Sequence, residues 1–364
     1  MEHISELTDI LNGYLGWNKA RIGCFVNMLL ALISTRTVNL NKLACVVNGN
    51  TQQPSRYRRL QRFFAGYLIN YDQIGGFIFK IFFIQGGSWY LTMDRTNWRW
   101  GAADINVLTL GIAYKGAAIP IYWELLDKRG NSDTSERIAL MQKFIDQFGK
   151  DSIKGVLADR EFIGKDWFAW LLKAAISFDI RIKSNTVTTN ARGLSVDIDG
   201  LFYDLNAGEQ RSLQGRRKVW GHLLYLAGLR LEDGDLLIVA TPEEPENAIK
   251  TYGLRWEIET LFGCLKGRGF HFEDTHITGR ERIKKLMVLL AIAFSWAHRT
   301  GEWRNEQSPI KIKKHGRPAI SLFRYGLDFL CNALANVFYK PDLLKNSYQF
   351  ISHMDIFQSI GASQ

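Results

Sequence analysis

The sequence predicts an α/β (α+β) protein: a mixed sheet flanked by helices, interrupted by a β-rich insertion, with a helical region before it and another after it. Three observations carry that expectation. Short apolar runs of β-prone residues recur between residues 89 and 183, and amphipathic helical runs separate the later ones. The first 85 residues, and again those beyond Asn247, show helical patterning instead. With 364 residues, 46% hydrophobic and 23% charged, the chain can bury a large core and sits close to the averages of folded proteins.

Residues 24–33 are apolar, 40–47 form a short amphipathic run, and 53–64 are basic and aromatic. The last two, with Asn48-Gly49-Asn50 between them, fit a helix-turn-helix whose second helix carries Arg56, Arg58, Arg59 and Arg62 toward phosphates or base edges. The same arginines also fit the solvated face of an ordinary helical cap. Residues 74–90 are nearly long enough to span a bilayer, but Lys80 and two Gly-Gly pairs break them up, so a buried helix is expected.

From Ser88 the period changes. Residues 89–93 form a β-prone run ending at Asp94, and 105–113 and 117–126 flank Tyr114-Lys115-Gly116 as a hairpin. Residues 134–148 read as a helix, 153–158 as a fourth strand ending at Asp159, 165–175 as a helix and 177–183 as a fifth strand. The order β-β-β-α-β-α-β is that of a mixed sheet with helices on its faces. Residues 185–240 break this rhythm with short Thr-, Val- and Leu-rich runs punctuated by glycines, the β-rich insertion; helices resume near Asn247, after a loop over 241–246.

Forty-six Lys and Arg against 36 Asp and Glu give a net charge of +10, which favours a polyanionic partner, nucleic acid ahead of an acidic membrane surface. The surplus is local. Residues 1–85 hold 9 basic and 4 acidic side chains and 264–324 hold 13 and 5, whereas 86–180 hold 12 of each. In the second basic segment Lys284, Lys285, Lys311, Lys313, Lys314 and Arg317 suit phosphate contacts or a solvated basic face. Cys24, Cys45, Cys264 and Cys331 lie far apart, which points away from a zinc knuckle or disulfide framework and toward a reducing compartment. The N-terminus lacks the basic start of a signal peptide. The histidines have no metal-ligand spacing and no Gly-rich phosphate loop occurs, so a nucleotide cofactor is not expected.

Chemistry concentrates in residues 251–266, where Tyr252, Arg255, Glu259 and Lys266 follow the spacing Tyr-x2-Arg-x3-Glu-x6-Lys. On one helix, at ~100° per residue, they project within a ~60° arc, a carboxylate between two cations and a phenol. An amphipathic surface helix with a fortuitous Arg and Glu pair explains less, because four residue types at fixed spacing arise by chance at roughly 1 in 10⁵ positions. Asp94 and Asp159 each terminate an apolar strand, where a sheet gathers ligand-binding groups; each alone also fits a turn former or helix cap. With Glu259 they offer hard oxygen ligands suited to Mg²⁺ or Mn²⁺, and two such ions ~3.5 to 4 Å apart serve in-line phosphoryl transfer.

Asp94, the Asp159-Arg160-Glu161-Phe162 segment and the Tyr252, Arg255, Glu259, Lys266 signature together resemble the DDE transposases of bacterial insertion sequences, in the class named for its YREK motif. The resemblance spans roughly residues 88–325 and includes a long β-rich insertion between the second Asp and the Glu. It implies a ribonuclease-H-like catalytic core in two parts, residues 86–184 and 245–325, interrupted by the insertion at 185–244. Residues 1–85 would then be a helical DNA-binding domain and 326–364 a helical tail available for dimerisation.

The resemblance further implies that Asp94, Asp159 and Glu259 are the catalytic residues and hold two Mg²⁺ ions, for which Mn²⁺ can substitute. The implied activity is cut-and-paste transposition: nicking at terminal inverted repeats, hairpin formation and opening, and strand transfer to target DNA. Tyr252, Arg255 and Lys266 would contact phosphates beside a flipped nucleotide. Trp220, in a basic run of the insertion, would receive its base, or else is a core tryptophan. The implied partners are double-stranded DNA and a second copy of the chain, with no membrane, in the bacterial cytoplasm at the nucleoid. Two readings compete: a catalytically inactive, transposase-derived DNA-binding protein, and a stand-alone structure-specific nuclease. Against the first stand three intact carboxylates; the second has little use for the Tyr, Arg and Lys companions.

Overall fold

The structure, a computed structural model, describes residues 2–47, 49–83, 86–243, 245–314 and 316–352. Five helices come first: α1 (Glu2–Leu15), α2 (Lys19–Thr35), α3 (Leu40–Val46), α4 (Gln53–Gly66) and α5 (Tyr71–Phe82). Asn18, Asn39 and Asn70 cap α2, α3 and α5, each side-chain oxygen accepting from first-turn N–H groups that the helix itself leaves unpaired. Helices α3 and α4 pack together, and α4 buries Leu60, Phe63 and Phe64 while Arg58, Arg59 and Arg62 face outward. Asn48, in the turn expected between them, lies outside the described residues. The helix expected over 74–90 ends earlier, at Phe82. Ile84 and Gln85 lie outside the described residues, and Gly86 and Gly87, at φ of 75° and 127°, lead into a strand.

That strand, β1 (Trp89–Trp100), forms an antiparallel meander with β2 (Ala103–Tyr114) and β3 (Ala117–Leu125). Lys115 and Gly116, at φ of 48° and 92°, make the tight turn of the predicted hairpin. Strand β1 runs on to Trp100, so Asp94 stands within a strand and not at its end. The cause is the partner: β2 continues the ladder as far as Trp100 opposite Ala103. The elements α6 (Thr134–Phe148), β4 (Ile153–Ala158), α7 (Lys165–Lys173) and β5 (Phe178–Ile182) follow in the expected order. Strand β4 runs parallel to β1, and β5 parallel to β4. The order β3-β2-β1-β4-β5, an antiparallel meander continued by parallel strands, is the ribonuclease-H-like arrangement.

The β-rich segment joins this sheet. After the small pair β6 (Val187–Thr189) and β7 (Ser195–Asp197) come β8 (Gln210–Ser212), β9 (Arg217–Val219), β10 (His222–Arg230) and β11 (Leu236–Thr241). Strand β11 pairs with β5 and β10 with β11, so the sheet reaches nine strands and β5 is not left as an open edge.

Helices α8 (Ala248–Tyr252), α9 (Trp256–Leu265), α10 (Arg280–Gln307), α11 (Leu322–Ala335) and α12 (Pro341–Ser352) complete the chain; Glu244 and residues 353–364, part of the expected loop and tail, lie outside the described residues. Helix α10 is buried along most of its length, between the sheet and the other helices. One core runs from Leu7 to Ile351 and joins the N-terminal helices to the rest. Across that junction Val38 donates its N–H to the Phe270 carbonyl at 3.1 Å, and Arg36 pairs with Asp328 at 2.6 Å. Two expected phosphate contacts are corrected here. Lys284 is paired to Glu124 of β3 at 2.7 Å, and Lys285 is buried and donates to the Phe64 carbonyl at 3.1 Å, because both project from inward-facing turns of α10. Among the described residues no single helix is long and apolar enough to cross a membrane.

Candidate active site

Two strands and one helix converge on a group of carboxylates. The parallel pairing of β1 with β4 ends at Met93 opposite Ala158, and the next residues are Asp94 and Asp159. Neighbouring strands lie ~4.8 Å apart, so Asp159, leaving β4, stands beside Asp94, which β2 still holds in the sheet. Each caps the residue after it: Asp94 Oδ1 accepts from the Arg95 N–H at 2.7 Å, and Asp159 Oδ1 from the Arg160 N–H at 2.6 Å.

The third carboxylate arrives through a buried arginine. Arg255 is 3% exposed, and its guanidinium donates through Nη1 to Asp94 Oδ2 at 3.4 Å and through Nη2 to Glu259 Oε1 at 2.6 Å. It also lies over the rings of Trp256 and Tyr252, at 4.9 and 5.5 Å. Burial pushes the Asp94 carboxyl up to about 6; the Arg95 N–H and the Arg255 charge pull it down, and the charges of Asp159 and Glu161 push it up further. Burial likewise raises the Tyr252 phenol to about 12.

The helix expected to carry the Tyr, Arg, Glu and Lys signature is tightened over one turn, where Tyr252, Gly253, Arg255 and Trp256 all keep right-handed helical angles. Residues Gly253–Arg255 form a 3-10 turn between α8 and α9, and Lys266 leaves α9 at φ −88° and ψ −132°. Tyr252, Arg255 and Glu259 stay on one side, the Arg255 guanidinium 5.5 Å from the centre of the Tyr252 ring and 2.6 Å from Glu259, while Lys266 lies beyond the end of α9. Tyr252 is buried in an apolar cluster with Ala227, Leu237 and Val239, beside the Arg255 guanidinium. Lys266 pairs with Glu273 at 2.7 Å, with its ammonium 5.7 Å from the centre of the Trp98 ring.

Sequence reasoning missed the residues that hold the carboxylates in place. Arg95 grips Glu161 through two hydrogen bonds, at 2.7 and 2.9 Å, tying β1 to the loop after β4. Arg137 of α6, 3% exposed, braces the same loop by donating to the carbonyls of Glu161 and Ile163. Glu257, two residues from Glu259, accepts the Gly116 N–H at 2.8 Å and fastens α9 to the β2–β3 turn. The adjacent Asp94-Arg95 and Asp159-Arg160-Glu161 segments held the only signal for the first of these clamps.

The other expected site residues lie apart from this group. Trp220 follows β9 at φ 46°, half-buried, its ring edge-on to Phe168 at 5.4 Å. Arg56 is partly buried and donates to the Val47 carbonyl at 2.7 Å, bracing the α3–α4 turn. Lys311, Lys313 and Lys314 are exposed in the loop between α10 and α11.

By donor chemistry the carboxylates fit a divalent cation. Asp94 is desolvated beside like charges that such an ion relieves, and Asp159 offers a second hard oxygen donor at the same strand end. In this conformation the Arg255 guanidinium stands between Asp94 and Glu259, and among the described residues no three His, Cys, Asp or Glu form a ready ligand group.

No curated protein matches the chain. A solved structure, the cryo-EM structure of the piggyBac transposase synaptic complex with hairpin DNA, is similar with a TM-score of 0.49 and 11% identity, over 98% of this chain and 84% of that one. The family model described as Transposase DDE domain matches residues 90–296. That span is more than half of the chain and contains Asp94, Asp159 and Glu259, so the chain belongs to the DDE transposase domain family.

Proposed function

We propose that the chain is the transposase of a bacterial insertion sequence of the YREK class, binding terminal inverted repeats and moving the element by a cut-and-paste route. The observation that carries this reading is the placement of Asp94 and Asp159 directly after the last pair of a parallel ladder, with Arg255 linking Asp94 to Glu259. Asp94, Asp159 and Glu259 would hold two Mg²⁺ ions, replaceable by Mn²⁺, which supply an activated oxygen nucleophile and stabilise the leaving oxygen.

The chain's other residues hold the DNA. Arg255 and Lys266, each now on a carboxylate, exchange that partner for a phosphate oxygen when the transposon end is bound. Tyr252 backs the Arg255 guanidinium with its ring and limits its swing. Trp220 presents the exposed part of its indole to a base displaced during hairpin formation. Arg58, Arg59 and Arg62 meet the repeat from the outer face of α4, with Arg56 bracing them. Lys311, Lys313 and Lys314 meet phosphates from their exposed loop. Two copies act together on the two ends in the bacterial nucleoid, and the exposed Phe338 and Tyr339 after α11 offer a contact between them.

The test uses the full chain, Mg²⁺ and a linear duplex carrying the DNA that flanks the coding sequence. Asp94→Ala, Asp159→Ala and Glu259→Ala are each expected to abolish cleavage while binding stays within a few-fold; undiminished cutting by any of them refutes the assignment. Arg255→Ala and Lys266→Ala should impair hairpin formation more than nicking, and equal loss of both steps counts against the phosphate role.

A further inference from the structure

Between α4 and the segment that leads into α10 lies a cleft of about 430 Å³. Tyr57 and Gln61 line it from the helical side, and His276, Thr278 and Arg282 from the other. Among the described residues these five side chains make no hydrogen bond or ion pair. Their neighbours differ. Arg280 is paired to Asp127 and Lys284 to Glu124, each at 2.7 Å, so Arg282 between them is the cation whose charge is left over.

The cleft continues a line that begins at the active site. Asp94, Thr96, Trp98 and Trp100 project from one face of β1, since alternate residues of a strand share a side. Lys266 lies over Trp98, and Trp100, 37% exposed, has its ring 4.7 Å from that of His276 at the cleft rim. Six strand residues at ~3.3 Å each cover ~20 Å, about six nucleotide steps along a DNA strand. A concavity of this size holds one nucleotide, whereas a duplex is read by side chains that protrude into its grooves.

Resting on the transposase reading, we propose that this cleft binds one unpaired nucleotide of the bound DNA. Its base packs against Tyr57 and the His276 and Trp100 pair, Gln61 bonds the base edge, and Arg282 takes the phosphate. The chemistry is that of single-strand binding elsewhere, aromatic faces for bases beside a cation for the backbone.

The test is fluorescence anisotropy in EDTA, so that cleavage plays no part. It compares a blunt 30-base-pair duplex (about three helical turns) with the same duplex carrying a short 3′ single-stranded extension. The wild-type chain is expected to bind the extended DNA roughly tenfold tighter, within the range that stacking of one base supplies. His276→Ala and Gln61→Ala, both exposed and free of structural bonds, should reduce that preference to under twofold and leave blunt-duplex affinity unchanged. A preference that survives in both variants, or is absent from the wild type, overturns the cleft assignment while the transposase reading stands. Binding of neither DNA overturns both. Photocrosslinking from 5-iododeoxyuridine in the extension should map to Tyr57, Trp100 or His276, and crosslinks only elsewhere would also overturn the assignment.

Discussion

Arg255 shows how much a single buried charge can organise. A guanidinium at 3% exposure is costly unless it is paired, and here two carboxylates take its Nη1 and Nη2 donors and two aromatic rings lie against it, while Nε has no hydrogen-bond partner among the described residues. Arg255→Ala strands Asp94 in a desolvated position and is expected to destabilise the chain by roughly 3 to 5 kcal/mol in urea unfolding. Arg255→Lys should restore less than half of that, since a point charge cannot span both carboxylates. Asp179 of β5 gives a cleaner pH test. Burial and the Glu243 charge push its carboxyl up to about 6, against the Thr241 hydroxyl bond that pulls it down. The folded state therefore holds more protons than the unfolded state between about pH 4 and 6, and its stability falls as pH rises through that window. Asp179→Asn should raise Tm at pH 7.5, by an amount equivalent to roughly 1 to 3 kcal/mol, and leave it unchanged near pH 4; equal shifts at both pH values would contradict this.

Elements with local signals could be read from the sequence. The β2–β3 hairpin follows from Lys115-Gly116, and α6 begins where Asp133 and Glu136 form a capping box. Crossings between elements left less trace. At the α10–α11 crossing, a Cβ on Gly326 would overlap the Ala297 carbonyl oxygen, and one on Gly301 the Leu322 carbonyl oxygen. Helix propensity alone favours alanine over glycine by ~1 kcal/mol. Gly326→Ala should nevertheless destabilise the chain by ~2 kcal/mol or more, because the helices must separate. Gly23→Ala in α2, with open space around the added methyl, should be neutral or stabilising in the same thermal melts. The 3-10 turn at Gly253–Arg255 is a similar case: its periodicity reads as a plain helix, and only the folded chain shows Arg255 meeting Asp94 while Tyr252 packs under β10 and β11.

At the scale of the whole molecule, the helical ends are built into the catalytic fold. The N-terminal helices share their core with α10, α11 and α12, and the bonds from Val38 to Phe270 and from Lys285 to Phe64 cross the boundary that charge and periodicity suggested near residue 85. A chain beginning at residue 86 should therefore be insoluble or lack a cooperative thermal transition, while the full chain melts as one unit; a soluble, sharply melting truncation would contradict the shared core. DNA binding by the full chain should weaken steeply as salt rises from ~50 to ~200 mM, as release of counterions from several phosphates requires, and a flat response would contradict the exposed arginines of α4 as phosphate contacts.

By itself the sequence determined the class of sheet, the order of its first five strands, and a residue pattern that includes Asp94, Arg255 and Glu259, which the structure links by hydrogen bonds. Those are set by short-range patterning: alternation, helical period, turn residues and fixed spacing. The tertiary structure decided the length of β1, the incorporation of the β-rich segment into the sheet, the inward turn of Lys284 and Lys285, and the bridge of Arg255 between two carboxylates. Each of these depends on a partner far away in sequence, which supplies the ladder, the countercharge or the burial, and no local pattern encodes that partner's position.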